Sequence, residues 1–412
     1  MVDETREDWI GRRVARWRDV AGMTQQQLAD AVQVSREHLS RIENGHRSVT
    51  DRRLLYALAT ALGVNVGDLT GQPEPPRNRH DLAVYSAVPA MRGALDDDPP
   101  DDGPLDPSQM GRRVDAAMRL RMACDYANLA NLLPSLIAST RRLANSGGDG
   151  AELGLGLFVR TAVCAALAVK PFGYLDLAAR FAERATAAAD LLDQPVERAA
   201  AGFATAQCAL ASGTTGGQRR SLAVSRTHAD LLGGTGDDAA LTWWVMLHLH
   251  AGLSAATLGD GDTAVAHHRE AATTAERIST DPWRMEPAPA NVGVWRVSIA
   301  LEDDPVRVPH YTRRVDRTAL RSRQRTAHLH IQAGRGCCAA DDPAAAVRHF
   351  LAADEVAPSE LRSRPSVREL VGQMVRDARG RGSTELRDLA TRVGIDPLQP
   401  DADLGQRDAE LM

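Results

Sequence analysis

Apolar residues return every three or four positions through most of the chain, and the strict alternation that strands need is almost absent. The pattern predicts an all-α protein with a compact group of five short helices at its N-terminus. Over 9–21, Ile10, Val14 and Trp17 face inward, while Arg12, Arg13, Arg16 and Arg18 face largely outward. Thr24 is an N-cap with Gln27 completing a capping box, and Leu28, Ala29 and Val32 follow on one face. Gln33 and Val34 interrupt that face, after which Ser35 caps a second helix carried by Leu39 and Ile42. Asn44-Gly45 ends it with residues that tolerate positive φ. Asp51 caps a fourth helix over 52–62, Gly63 closes it, and a fifth covers 64–69. Leu28, Val32, Leu39, Ile42, Leu55, Leu58 and Leu62 should form the shared core.

Beyond this group, 71–79 is proline-rich and cannot be helical. One helix is expected over 81–95, interrupted at Pro89, and the acidic, proline-rich stretch 96–107 should be solvated. The organisation read from the pattern is thus a head over 1–71, a linker over 72–106, a helical body over 107–380 and a tail over 381–412 that opens with a short helix near 384–393. Within the body, small residues recur at offsets of 12 and 7: Ala166, Ala178, Ala185; Gly252, Ala264, Ala271; and Gly334, Ala346, Ala353. Such spacing suits paired helices that cross closely. The odds of coincidence are highest for the first set, because alanine is abundant.

Two helices joined by about four residues, the second with an Arg-led polar face, is the layout of a helix-turn-helix. The segment 11–69 resembles the phage-repressor or XRE-type helix-turn-helix through Gly22-Met23-Thr24-Gln25, Leu28-Ala29, Val34-Ser35, Leu39 to Gly45 and Ala61-Leu62-Gly63-Val64. Where that family usually has Gly, this chain has Gln33, and a left-handed Gln costs about 1–2 kcal/mol. The hairpin at 326–359, with its Asp341-Asp342 turn, Phe350 and Pro358, resembles a tetratricopeptide repeat; 243–277 does so less fully. The expected fold is therefore a five-helix DNA-binding head on a tetratricopeptide-like α-solenoid. The two modules together resemble the peptide-sensing regulators of Gram-positive bacteria. That resemblance implies a homodimer on double-stranded operator DNA and a peptide or small-molecule effector; a docking scaffold for a partner protein is the alternative.

Net charge at pH 7 is −5, yet 1–71 holds ten Arg against ten acids, with Arg36, Arg41 and Arg47 along and just after the second motif helix. Local sign, not net charge, sets a phosphate footprint. Gln25 is placed for a phosphate, Ser35 opens the second motif helix, Arg36 and Glu37 suit base edges, Arg41 either, and Asn44, His46 and Arg47 the backbone. Aligning the three small-residue sets puts Arg160, Lys170, His328 and Arg335 toward the groove of the solenoid, where they would favour an anion; ordinary surface cations are the competing explanation. Asn291, just before Val292 and Trp295, resembles the Asn-Val element of actinobacterial regulators of this type, without their usual Phe-Gly lead, and serves equally well as a plain N-cap. Of 49 basic residues only Lys170 is a lysine, a bias typical of high-GC coding.

No phosphate loop, zinc-protease helix or nucleophile elbow occurs, so no enzyme, catalytic residue or cofactor is expected. The pairs His248/His250 and His328/His330 diverge by about 200° on a helix and cannot chelate one metal. Five cysteines without metal spacing fit reduced thiols in a cytoplasm. No run of 18 apolar residues suggests a membrane span, and the acidic N-terminus argues against a signal peptide.

Overall fold

The computed structural model describes residues 9–76, 79–97, 106–147, 149–234, 236–378 and 382–396. Among them the chain forms 21 α-helices and three 3-10 turns, with no strand. The head comprises α1 (Ile10–Val20), α2 (Gln25–Ala31), α3 (Arg36–Glu43), α4 (Arg52–Leu62) and α5 (Val66–Thr70). Its capping follows the sequence: the Thr24–Gln27 box is closed at both ends, and Ser35 and Asp51 accept from His38 and Arg53 backbone N–H groups. Gln33 does adopt a left-handed φ of 58°. All seven expected core residues pack together with Ile10, Val14 and Val49 into a core of the head's own.

The body begins earlier than the composition suggests. Helix α6 (Arg79–Asp96) runs through Pro89 without a break and buries Val84, Val88, Met91 and Leu95 in the main core of the body. The expected boundary at 106 is therefore shifted, because a stripe of apolar side chains outweighs one missing backbone donor. Of the acidic stretch, 98–105 lies outside the described residues.

Next come α7 (Pro107–Met122), α8 (Tyr126–Ala144), α9 (Asp149–Val169), α10 (Leu175–Leu192) and α11 (Pro195–Ala211). They continue as α12 (Thr215–Leu232), α13 (Asp238–Thr257), α14 (Gly261–Ala275), α15 (Pro289–Asp303) and α16 (Val308–Arg313). The last group is α17 (Arg323–Ala339), α18 (Pro343–Val356), α19 (Pro358–Arg362), α20 (Pro365–Ala378) and α21 (Thr384–Arg392). The three small-residue sets fall on the hairpins α9–α10, α13–α14 and α17–α18, which are extensively packed pairs. All of the alanines in them are buried. A Cβ on Gly334 would stand 2.5 Å from the Phe350 ring, so the helices touch where the register places them.

Segment Gly150–Phe172 is long and apolar enough to cross a membrane on length and composition, a windowed signal that a search for unbroken apolar runs passes over. It is a core helix here, with 72% of its apolar window buried inside the body. Helix α21 packs back on α18 and α20 through Leu386, Leu389 and Ala390, so the expected tail starts later than 381. Residues 397–412 lie outside the described set.

Candidate DNA-binding face and effector cavity

Helix α3 turns Leu39 and Ile42 into the head and leaves Ser35, Arg36, Glu37 and Arg41 exposed, with Asn44, His46 and Arg47 exposed just beyond it. This is the polar face expected of a recognition helix, all on one short rigid element. Burial and then the nearby Arg47 and Arg41 hold His38 below its ordinary pKa. Gln25 differs from expectation. Its Nε2 donates to Glu43 Oε2 at 2.8 Å, and Glu43 in turn accepts from Arg18 Nε at 2.7 Å. The side-chain amide therefore braces α2 against α3, and its second N–H and the α2 N-terminus remain for a phosphate.

The head is docked on the body along an edge next to this face. Glu369 Oε2 accepts from the Ile10 N–H at 3.1 Å, at the first turn of α1, where a carboxylate suits the helix dipole. Gln373 Oε1 accepts from the Ser48 N–H at 2.9 Å, and Arg376 Nε donates to the Gly45 carbonyl at 3.0 Å. On the other side of the head, Tyr56 Oη donates to the Leu210 carbonyl at 3.0 Å, and Arg53 donates to the Ala256 carbonyl at 2.7 Å. Even the linker is held: Gln72 Nε2 donates to the carbonyls of Pro171 and Ser363.

Between head and body lies a cavity of about 320 Å³. Lys170, Trp295, His328 and Arg335, four of the six residues expected at a ligand site, line it. The other two do not. Arg160 lies over the Trp283 ring at 4.5 Å and donates to the Pro282 carbonyl, so it is used in packing the loop ahead of α15. Asn291 is fully buried and donates from Nδ2 to the Glu286 carbonyl at 2.7 Å, which fixes the same loop. The Asn-Val element is thus an internal brace rather than a wall of the cavity.

Residues missed by sequence reasoning complete the wall: Arg52 and Tyr56 from the head, Arg121 from α7, Arg325 from α17, and Glu360 and Arg364 beside them. Arg325, His328, Gln332 and Arg335 are spaced three to four apart, one polar stripe on an otherwise buried helix, and that stripe could have been read. Arg335 also reaches the head, donating from Nη2 to the Thr50 carbonyl at 3.0 Å. Burial pulls the Lys170 ammonium down to about 8 and the Arg325 and Arg335 guanidinium groups to about 10. Burial, with Arg364 and Arg325 close by, holds His328 well below its ordinary pKa. Burial pushes Glu360 up, but Arg364 and the Tyr126 hydroxyl outweigh it and hold that carboxyl below its ordinary value.

The expected divergence of His248/His250 and His328/His330 is observed, yet each hairpin makes a different histidine pair. His248 Nδ1 lies 3.1 Å from His267 Nδ1, and His330 Nδ1 lies 3.0 Å from His349 Nδ1, at the same register in α13–α14 and α17–α18. Among the described residues no cluster of three metal-ligating side chains occurs. The five thiols are unpaired.

An exposed, Arg-led second helix on a small five-helix core defines the head as a helix-turn-helix domain, a DNA-binding fold. Residues 9–70 match the family model described as a helix-turn-helix domain. None of the curated proteins compared matches the chain significantly. Among solved structures, ComR from Streptococcus suis is similar over 88% of this chain and 94% of that one, at 14% identity and a TM-score of 0.26. That superposition is too loose to carry a functional conclusion.

Proposed function

We propose that this protein is a cytoplasmic, non-enzymatic transcription regulator that binds operator DNA as a homodimer and is adjusted by the occupant of its head–body cavity. The observation that carries this reading is the exposed row Ser35, Arg36, Glu37 and Arg41 on α3. Arg36 suits guanine N7 and O6, and Glu37 accepts from cytosine or rejects other bases. One recognition helix covers few bases, so two heads about one DNA turn, ~34 Å, apart supply the selectivity. A peptide end or another small anion in the cavity would touch head and body together, and so would bind the docked and released heads with different affinity. Only such a difference shifts the population.

The test is selection of duplexes from a random pool with the full-length protein, followed by gel shifts with and without host-cell extract. A two-fold-related consensus and an extract-dependent shift are expected. Equal affinity for all duplexes would remove the operator reading, and indifference to extract would remove the effector.

A further inference from the structure

Cations outnumber carboxylates on the cavity wall by four. Arg52, Arg121, Lys170, Arg325, Arg335 and Arg364 line it, against Glu302 and Glu360. Both carboxylates are already matched, Glu302 with Arg52 at 3.4 Å and Glu360 with Arg364 at 2.9 Å. The four cations left over make no ion pair with any described carboxylate. Arg121 donates to Gln324 and to the Arg284 carbonyl, Lys170 to Gln207, and Arg335 to Gln332 and the Thr50 carbonyl. Arg325 is only 9% exposed, and its buried Nε has no hydrogen-bond partner among the described residues. The buried indole N–H of Trp295 on the same wall has none either.

A protein interior keeps a charge only when it is paired or when it serves something outside the fold. Four cations line one space with no carboxylate at ion-pair distance, and the neutral acceptors that three of them meet leave their charge uncompensated. We infer that the cavity takes a compact polyanion, a phosphorylated or polycarboxylated small molecule with at least two negative charges. This rests on the reading of the cavity as an effector site and narrows its ligand class. A peptide end brings a single carboxylate and would leave most of the excess uncompensated. The volume of about 320 Å³ is ample for a small metabolite. Guanidinium forks fit carboxylate and phosphate oxygens alike, so the two sources are separated by experiment.

The experiment is calorimetric titration of the full-length protein with sodium pyrophosphate, sodium citrate and a pentapeptide with a free C-terminus, at ionic strength fixed with sodium chloride. One site per chain for pyrophosphate or citrate is expected, and whichever binds more tightly names the source. Arg325→Met should weaken that binding by about tenfold or more, and it should raise the melting temperature of the ligand-free protein, because an unpaired buried charge is gone. Lys170→Gln provides the same binding test should Arg325→Met fail to fold. Binding of neither anion overturns the inference, as does undiminished binding by either variant. Peptide binding without anion binding overturns it while leaving the effector reading standing. Failure of all three probes, together with indifference of DNA binding to extract, removes both.

Discussion

Gln33 concentrates the tension in the head at one residue. Its φ of 58° sits in the turn that sets α3 against α2, and a side chain there crowds the following carbonyl. Gln33→Gly should stabilise the head by about 1 kcal/mol, visible as a later thermal transition; an unchanged or earlier one would show that the Gln side chain compensates. Arg36 is exposed at the start of α3. Arg36→Ala should cost roughly 1–3 kcal/mol on the selected operator and relax one base position, and equal loss on random duplexes would reassign it to phosphate. Caps and helix faces such as these were legible because their partners lie within four residues. The pairing of Gln25 with Glu43 and the burial of Arg325 were not, since each depends on residues that only the tertiary fold brings near.

At the scale of the helices, the register of small residues makes opposite predictions for two glycines. A Cβ on Gly334 meets the buried Phe350 ring, whereas one on Gly111, within α7, meets nothing within 4 Å. Gly334→Ala should destabilise the body by about 1–3 kcal/mol through overpacking, and Gly111→Ala should stabilise it by about 0.5–1 kcal/mol through backbone entropy. Urea melts that ranked them the other way would refute the hairpin register. The same register produces the two histidine pairs. Burial, then the neighbouring His267 or His349, pulls His248 and His330 down to about 4. A folded pKa below the ordinary 6.5 means stability that is complete above 6.5 and is lost as pH falls through 4. Replacing both residues with Gln should flatten the decline in melting temperature between those pH values. The hairpins themselves could be read from periodicity. Helices near α6 and α21 could be read too, but their packing into the body could not, because their burial is decided by helices distant in sequence.

For the molecule as a whole, the question is what docking does to DNA binding. Gly45 and Ser48, which bracket His46 and Arg47, are bonded to α20, so a duplex backbone reaching those two residues comes up against Gln373 and Arg376. We therefore expect the head to bind DNA best when released, with docking as the competing state. Tyr56 permits a clean test, because its hydrogen bond to Leu210 is made by α4 and not by the residues assigned to DNA. Tyr56→Phe removes about 1 kcal/mol of docking, which should raise operator affinity of the full-length protein up to about fivefold. In a fragment spanning 1–71, whose core is its own, the same change has no docking to weaken and should leave affinity unaltered. Weaker binding by the full-length variant would mean that the docked head is the DNA-competent one. Then a ligand in the cavity, which Arg52 and Arg335 line on either side of the joint, would act by holding the head in place rather than by letting it go.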